Sequence, residues 1–178
     1  MRWRYVFVSL GVVALLSGCA GMDLRTANPL PELRGVAWAV LPFTNNTGTP
    51  LANARAAALA SGILQSDGQH VVGDLPISTR TQILFGGNWK EEYAKALASA
   101  RRHGAHYALT GSVDEWTYRA GINAEPEVAI TLWVVDVANG RVVWSGVGSA
   151  HGGSLGSGGT GGVAQRLIQR LLDHALAH

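Results

Sequence analysis

The sequence predicts a single α/β domain, a layered sandwich in which helices flank a mixed β-sheet, with the element order βαβαβββα. Apolar runs of strand length alternate with alanine-rich helical stretches in the first half of the chain. Three strand-like segments follow one another in the second half. Hydrophobic residues make up 47% of the 178, which is enough for one sizeable core. We expect this domain to cover residues 35–178.

The first predicted strand covers residues 36–43, "VAWAVLPF", a nearly continuous apolar run typical of a strand buried on both faces. Thr49 and Pro50 follow, and they predict a helix with threonine as N-cap and proline as first helical residue. This alanine-rich helix is predicted to reach Ser66 and to stop at Gly68. The segment "QHVVGD" then predicts a second, short strand.

A second helix is predicted to begin near Asn88, which forms a capping-box pattern with Glu91. Three basic or imidazole side chains precede Gly104, which predicts the end of this helix. Its apolar residues share one face and are Trp89, Tyr93, Ala96, Leu97 and Ala100.

Three strands are predicted next, in "HYALTGSVDEWTYRA", "EVAITLWVVDV" and "RVVWSGVGSA". The dipeptide at positions 139–140, Asn-Gly, predicts a two-residue hairpin turn between the last two strands. That register places Val135 opposite Trp144 and Trp133 opposite Gly146. A glycine-serine loop covers residues 151–162, and a final amphipathic helix is predicted from residue 163 onward.

The N-terminus has the three parts of a secretion signal. Arg2 and Arg4 form a charged region, an apolar stretch follows, and small residues precede Cys19, the only cysteine of the chain. Residues 16–19, Leu-Ser-Gly-Cys, also resemble the bacterial lipobox. This resemblance implies that residues 1–18 are a signal peptide and that the sulfur of Cys19 carries a diacylglycerol anchor. Position 20 gives a second signal. In proteins of this kind an aspartate there would imply retention in the inner membrane. The alanine found instead implies an outer-membrane lipoprotein that faces the periplasm.

Residues 19–34 are expected to form a lipidated tether, because they contain two prolines and no periodicity. Fully extended, such a segment reaches about 50 Å, so the domain is not required to touch the bilayer.

Charge and motifs disfavour nucleic-acid binding and enzymatic function. Arg2 and Arg4 belong to the signal, so 12 of the 14 Lys and Arg residues remain against 12 Asp and Glu residues. The glycine-rich loop lacks the residues of a phosphate-binding loop, and no GxSxG or HExxH motif is present. We therefore expect no cofactor, no metal and no catalytic residue. Asp114 and Glu115 are adjacent in a strand and are expected to point to opposite faces.

Three stretches carry a family resemblance: "VAWAVLPFTNNTGTPLA", "YALTGSVDEW" and "LWVVDVANGRVVWSG". They resemble the periplasmic lipoproteins related to CsgG and LpoB and, within that group, the PelC-like lipoproteins of Pel exopolysaccharide export. The resemblance covers roughly residues 36–178, and none of its motifs is catalytic. It implies a homo-oligomeric ring beneath the outer membrane, whose acidic funnel guides a cationic polysaccharide to an outer-membrane β-barrel porin, as part of biofilm matrix export.

The same resemblance implies roles for three residues. Trp144 corresponds to a membrane-side aromatic, and Asp114 or Glu115 would line the polymer path. Pairing geometry alone leaves a second interpretation open for Trp144, that it packs inside the sheet. Two other functions also stay open: an LpoB-like activator of a cell-wall synthase, which would need a longer tether, and a CsgG-like secretion component, which would need membrane-crossing hairpins.

Overall fold

The computed structural model describes residues 21–30, 35–73, 89–119, 125–152 and 159–177. They form a seven-stranded mixed sheet and three helices, which confirms the predicted α/β fold class. The strands are β1 (Met22–Thr26), β2 (Ala37–Val40), β3 (Thr44–Asn45), β4 (His70–Val71), β5 (Tyr107–Arg119), β6 (Glu125–Asp136) and β7 (Val142–His151). The helices are α1 (Ala52–Ser66), α2 (Trp89–Arg102) and α3 (Gly159–Leu176).

The strand order in the sheet is β1-β7-β6-β5-β2-β4, with β3 also paired to β5. The short strands β2, β3 and β4 make parallel pairs, whereas β5, β6, β7 and β1 form an antiparallel meander. Parallel neighbours need a crossover connection, and α1 supplies it between β2 and β4. The sheet therefore divides into a parallel part that carries the crossover and an antiparallel part that contains the long strands.

Helices α1 and α3 pack on one face of the sheet and enclose the main core. Their apolar stripes meet the inward side chains of the strands, among them Trp38, Leu109, Ile130 and Leu132. Helix α2 packs on the other face, where Ala100 joins a smaller cluster with Leu41, Ala108 and Val137. The domain is thus three layers deep at one end of the sheet. Among the described residues, none of the helices combines the length and the apolar content needed to span a bilayer.

Strand β1 lies in the segment that the sequence analysis assigned to a tether. Residues 22–26 pair antiparallel with β7, so that Met22 lies opposite Ala150 and Thr26 opposite Gly146. The contact continues after the strand, because the backbone N–H of Leu30 donates to the carbonyl of Ala175 at the end of α3. The segment "MDLRT" has too few apolar residues to indicate a strand by itself. Residues 22–26 form a strand because they pair with the free edge of β7, and their own sequence does not indicate this pairing.

The start of α1 differs from the predicted cap. The helix begins at Ala52, after Leu51, whose φ of 62° lies in the left-handed region. The hydroxyl of Thr49 donates to the carbonyl of Trp116 at 2.6 Å and does not cap the helix. The threonine therefore joins the loop to β5, and this long-range bond takes the place of the predicted local one.

Both predicted glycine stops are confirmed. Gly68 and Gly104 have φ values of 78° and 76°, which glycine adopts without a Cβ penalty. At the end of α2, the N–H of Ala105 donates to the carbonyl of Ala100, and that of Gly104 donates to Arg101. These two bonds form a Schellman motif around the glycine that was predicted to end the helix.

The hairpin between β6 and β7 is present, but its predicted register is wrong. Trp144 pairs with Val134 and Gly146 with Leu132, where Val135 and Trp133 were expected. Asp136 and Arg141 close the turn through a backbone hydrogen bond, so the turn contains residues 137–140. The additional turn residues and an irregularity between Val134 and Val135 shift the pairing.

Gly146 gives the indole of Trp144 its space. A Cβ at this position would lie 2.5 Å from Cη2 of Trp144 and 3.1 Å from Cδ2 of Leu171 on α3. Neither neighbour can move outward, because both side chains are buried in the core. A tryptophan thus lies over a glycine as the sequence suggested, but it is Trp144 of the same strand and not Trp133.

We predict that Gly146→Ala lowers the free energy of unfolding by about 1–3 kcal/mol, because the added methyl group overpacks the core. Gly62→Ala is the matched control: no atom lies within 4 Å of a Cβ at this exposed position of α1. We expect it to stabilise the protein by about 0.4–1 kcal/mol. Chemical denaturation of both variants measures the difference, and equal stabilities would contradict the packing described for Gly146.

Candidate functional site

The candidate site is the face of the sheet that turns away from α1 and α3. Alternate residues of β6 point to the two faces of the sheet. On one face, Val128, Ile130 and Leu132 are fully buried in the core. Their neighbours Glu127 and Thr131 are partly exposed and point the other way. Helix α2 covers this second face only near β2 and the start of β5. The part formed by the rest of β5, β6, β7 and β1, which we call the open face, has no helix over it within the described residues.

Strand β5 contains a β-bulge at Asp114. Val113 pairs with Ile130, but Glu115 pairs with Ala129, so Asp114 has no partner of its own on β6. Val113 and Trp116 both point into the core, and two residues lie between them. The bulge absorbs the extra residue, and both of these intervening side chains therefore lie on the open face.

This finding corrects the expectation that Asp114 and Glu115 point to opposite faces. Strict alternation holds for a regular strand, and a bulge breaks it by one residue. Both side chains consequently lie on the same face of the sheet, for a reason that the strand pattern did not contain.

Asp114 is held in place by three neighbouring side chains. The Asn46 amide donates to Oδ1 at 2.7 Å, and the Thr131 hydroxyl donates to Oδ2 at 3.2 Å. The Ser112 hydroxyl lies 3.1 and 3.0 Å from the two carboxylate oxygens. The carboxylate thus links the loop after β3 to β5 and β6. Glu115, in contrast, makes no side-chain hydrogen bond or ion pair to the described part of the chain.

The open face carries more acidic than basic side chains. Strand alternation and pairing place Asp114, Glu115, Glu125, Glu127 and Asp23 on it. By the same strand register, the arginine positions of this face are Arg25, opposite Val147, and Arg119, opposite Glu125. The alternation of faces along β6, counted back from Thr131, would have placed Glu127 on this face from the sequence alone. Placing Asp23 on it required knowing that β1 exists. The near balance of 14 Lys and Arg residues against 12 Asp and Glu residues in the sequence therefore conceals a local acidic surface.

Trp144 lies in the core and not at a surface. Its side chain is 1% exposed, and the paired residues of β6 and the helix α3 surround it. This placement corrects the interpretation of Trp144 as a membrane-facing aromatic and agrees with the alternative that it packs inside the sheet. Its indole N–H has no hydrogen-bond partner within the described residues, which adds a desolvation cost to this position.

Other chemistry lies away from the open face. Cys19, the predicted acylation site, is outside the described residues. Lys95 lies 2.6 Å from Glu91 on α2, and this ion pair lowers the pKa of the glutamate and raises the pKa of the lysine. Burial raises the pKa of Tyr93 on the same helix. Within the described ranges, no group of three His, Cys, Asp or Glu side chains has the arrangement of a metal site.

Several solved structures resemble this chain over most of its length, and two of them are PelC structures. A PelC dodecamer from Paraburkholderia phytofirmans is 32% identical, with a TM-score of 0.70, and the alignment covers 89% of this chain and 99% of that one. A second PelC dodecamer from the same organism, a variant in which a leucine is replaced by methionine, is 33% identical, with a TM-score of 0.73 and coverages of 89% and 100%. Identity and coverage at this level indicate common descent and a shared domain.

Two further comparisons are weaker. The family model of the peptidoglycan-synthase activator LpoB matches residues 84–149. Lipoprotein GNA1162 from Neisseria meningitidis shares the fold, with 20% identity, a TM-score of 0.54 and coverages of 78% and 96%. A comparison with curated protein sequences finds no significant match.

We predict that Trp144→Ala lowers the free energy of unfolding by about 3–5 kcal/mol, because it leaves a large cavity between β7 and α3. Trp89→Ala is the control, since Trp89 is 57% exposed at the start of α2. We expect the control to change stability by less than about 0.5–1 kcal/mol. Thermal unfolding followed by circular dichroism compares the two, and a normal melting temperature for Trp144→Ala would restore the interfacial assignment.

Proposed function

The chain belongs to the PelC family, and on this basis we propose that it is a lipoprotein subunit of a periplasmic ring that guides a cationic exopolysaccharide to an outer-membrane porin. The related PelC structures are dodecamers at 32–33% identity, which supports a homo-oligomeric ring here. The subunits of such a ring meet through heterologous contacts that close on themselves. The domain then acts as a guide for a polymer and not as an enzyme.

The acidic open face is the observation that carries this proposal. Five carboxylates on one side of the sheet, against the arginine positions 25 and 119, would attract a positively charged chain. A set of separate carboxylates concentrates such a chain near the surface without binding any one sugar tightly. Transport needs this combination, because a polymer that binds strongly at one point does not move.

The carboxylates differ in the freedom that they have for this task. Asp114 is oriented by Asn46, Ser112 and Thr131, so it supplies a fixed charge. Glu115 has no such fixed partner, and its longer side chain can follow a passing cation. We assign the polymer path to Asp114, Glu115 and Glu127, and of these Glu115 is the residue whose charge can be removed with the least effect on the fold.

Exposed apolar side chains support the ring. Val143 and Val147 on β7 are 43% and 46% exposed, and Trp133 on β6 lies on the same open face. Apolar side chains that are neighbours on a surface favour contact with another protein chain. The apolar part of the open face therefore suits subunit contact, and the acidic positions adjoin it, from Asp114 beside Thr131 to Glu125 at the start of β6.

The LpoB-like alternative has one observation in its favour. The family model of that synthase activator matches residues 84–149, which include α2, β5, β6 and most of β7. These elements are the shared framework of the fold, and a shared framework does not define a partner. Neighbouring genes would separate the two functions: an exopolysaccharide synthase and porin favour export, whereas cell-wall synthesis genes favour activation.

We predict that Cys19→Ala removes the protein from the outer-membrane fraction, because the variant lacks the sulfur that would carry the diacylglycerol. The folded domain begins beyond this residue, so its protease resistance should be unchanged. Cell fractionation with immunoblotting measures the distribution. Recovery of the variant in the outer membrane at the level of the unmodified protein would contradict acylation at Cys19.

We predict that the double variant Glu115→Gln, Glu127→Gln reduces the export of the cationic polymer, because it removes two charges from the path without removing side-chain volume. Asp114→Asn should also reduce export, but this variant additionally disturbs the hydrogen bonds to Asn46 and Thr131. Surface polymer is quantified on cells, and light scattering of the purified protein measures ring assembly.

The control is Glu91→Gln, Glu92→Gln, which removes the same charge from the first turn of α2, away from the open face. Undiminished export by the Glu115 and Glu127 variant, with normal assembly, would exclude these residues from the path. Equal losses in both double variants would assign the effect to net charge and not to the open face.

A further inference from the structure

The end of the sheet where β1 begins lies close to the predicted acylation site. The backbone N–H of His151 donates to the carbonyl of Gly21 at 3.0 Å, so strand pairing fixes the chain from Gly21 onward. Cys19 is two residues earlier, and consecutive Cα atoms are about 3.8 Å apart, which limits its Cα to roughly 8 Å from that of Gly21. An acyl anchor on Cys19 would therefore hold this end of the sheet next to the bilayer.

A row of paired residues crosses four strands at this end. Gly21 lies beside His151, His151 pairs with Glu127, and Glu127 pairs with Thr117. Neighbouring strands are about 4.8 Å apart, so Gly21 and Thr117 are separated by about 14 Å across the sheet. The anchor would thus attach at the edge strand β1, and β5 reaches the same end of the sheet three strands away.

Tyr118 and Met22 are exposed at this end of the sheet. Tyr118 follows the buried Trp116 by two residues, so it points to the same side of the sheet, but it lies beyond the core and is 59% exposed. Met22 pairs with the buried Ala150, also on that side, and is 41% exposed. The tyrosine ring is apolar and its hydroxyl is polar, and side chains of this kind prefer the boundary between lipid and water.

An anchor at one edge of a domain does not by itself fix how the domain stands on a membrane. The acyl chains hold the domain at β1 and leave it free to pivot around that attachment. A second contact on β5, about 14 Å away, removes much of this freedom, because the bilayer then meets the whole end of the sheet. Glu125 and Glu127 lie on the open face near this end, so lipids with no net charge suit the contact better than anionic lipids.

We propose that the end of the sheet formed by Gly21 and Tyr118 lies on the surface of the bilayer, with the ring of Tyr118 at the level of the lipid headgroups and Met22 as an apolar contact beside the anchor. The proposal rests on the proposed acylation of Cys19, which brings this end to the bilayer. The acyl chains supply the attachment, and Tyr118 supplies the orientation. The turn between β6 and β7, at the other end of the sheet, then points into the periplasm.

The test uses the full acylated protein in vesicles of phosphatidylcholine and phosphatidylethanolamine. Cys19 is the single cysteine and its sulfur is acylated, so Thr117→Cys introduces one free thiol at the membrane end and Arg141→Cys one beside the turn at the other end. Both positions are exposed, and ten residues of β5 place them about 33 Å apart. Each thiol receives a fluorophore, and some lipids carry a quencher on the headgroup. We expect quenching at position 117 to be several-fold stronger than at position 141.

The second contact is tested by Tyr118→Ser, which removes an exposed ring and should leave the fold intact. Quenching at position 117 should then fall several-fold, toward the level at position 141. Tyr118→Trp should keep the strong quenching, because an indole also prefers the membrane interface. The control is Val142→Ser, which removes a 56% exposed apolar side chain at the other end of the sheet and should leave quenching unchanged. Full quenching in Tyr118→Ser would overturn the proposal.

The failures of the anchor and of the contact are distinguishable. If mass spectrometry shows no acyl group on Cys19, the proposed anchor fails and the contact proposal fails with it. If the protein is acylated and floats with the vesicles but positions 117 and 141 are equally quenched, the contact proposal alone is wrong. If a water-soluble quencher does not reach the label at position 117 in the lipid-free Cys19→Ala protein, a second copy of the chain covers this end, which also overturns the proposal.

Discussion

The antiparallel pairing of β5 with β6 is the interaction on which the rest of the structure depends. These long strands bury one face against α1 and α3, with Leu109, Ile130 and Leu132 at the centre of the core. Their register changes once, at Asp114, and this change determines what the other face presents. Without the bulge, either Val113 or Trp116 would leave the core, so burial of both apolar residues fixes the position of the two acidic ones.

The second constraint is the pairing of β1 with β7. It covers an edge that a long strand would otherwise expose, and it places Gly21 beside His151. The same pairing sets the orientation of the domain under the proposed anchor, because Cys19 cannot move far from a fixed Gly21. Strand pairing, which is a stabilising contact, thereby also determines which end of the molecule would meet the membrane.

These two constraints divide charge between the two sides of the sheet. Acidic side chains collect on the open face toward Glu125 and Glu127, whereas Arg166 and Arg170 lie on α3 across the sheet. An acidic surface suits a cationic polymer, so the open face is the side that the proposed ring would present to its cargo.

The sequence by itself determined the features that depend on nearby residues: the α/β class, both glycine helix stops, the hairpin between β6 and β7, and the lipobox resemblance at Cys19. Local patterns determine these because the hydrogen bonds or periodicities involved span only a few residues. Only the tertiary structure decided the strand β1, the shared face of Asp114 and Glu115, and the burial of Trp144. Each of these depends on register, since a shift of one residue moves a side chain to the opposite face, and register is set by partners far away in the chain.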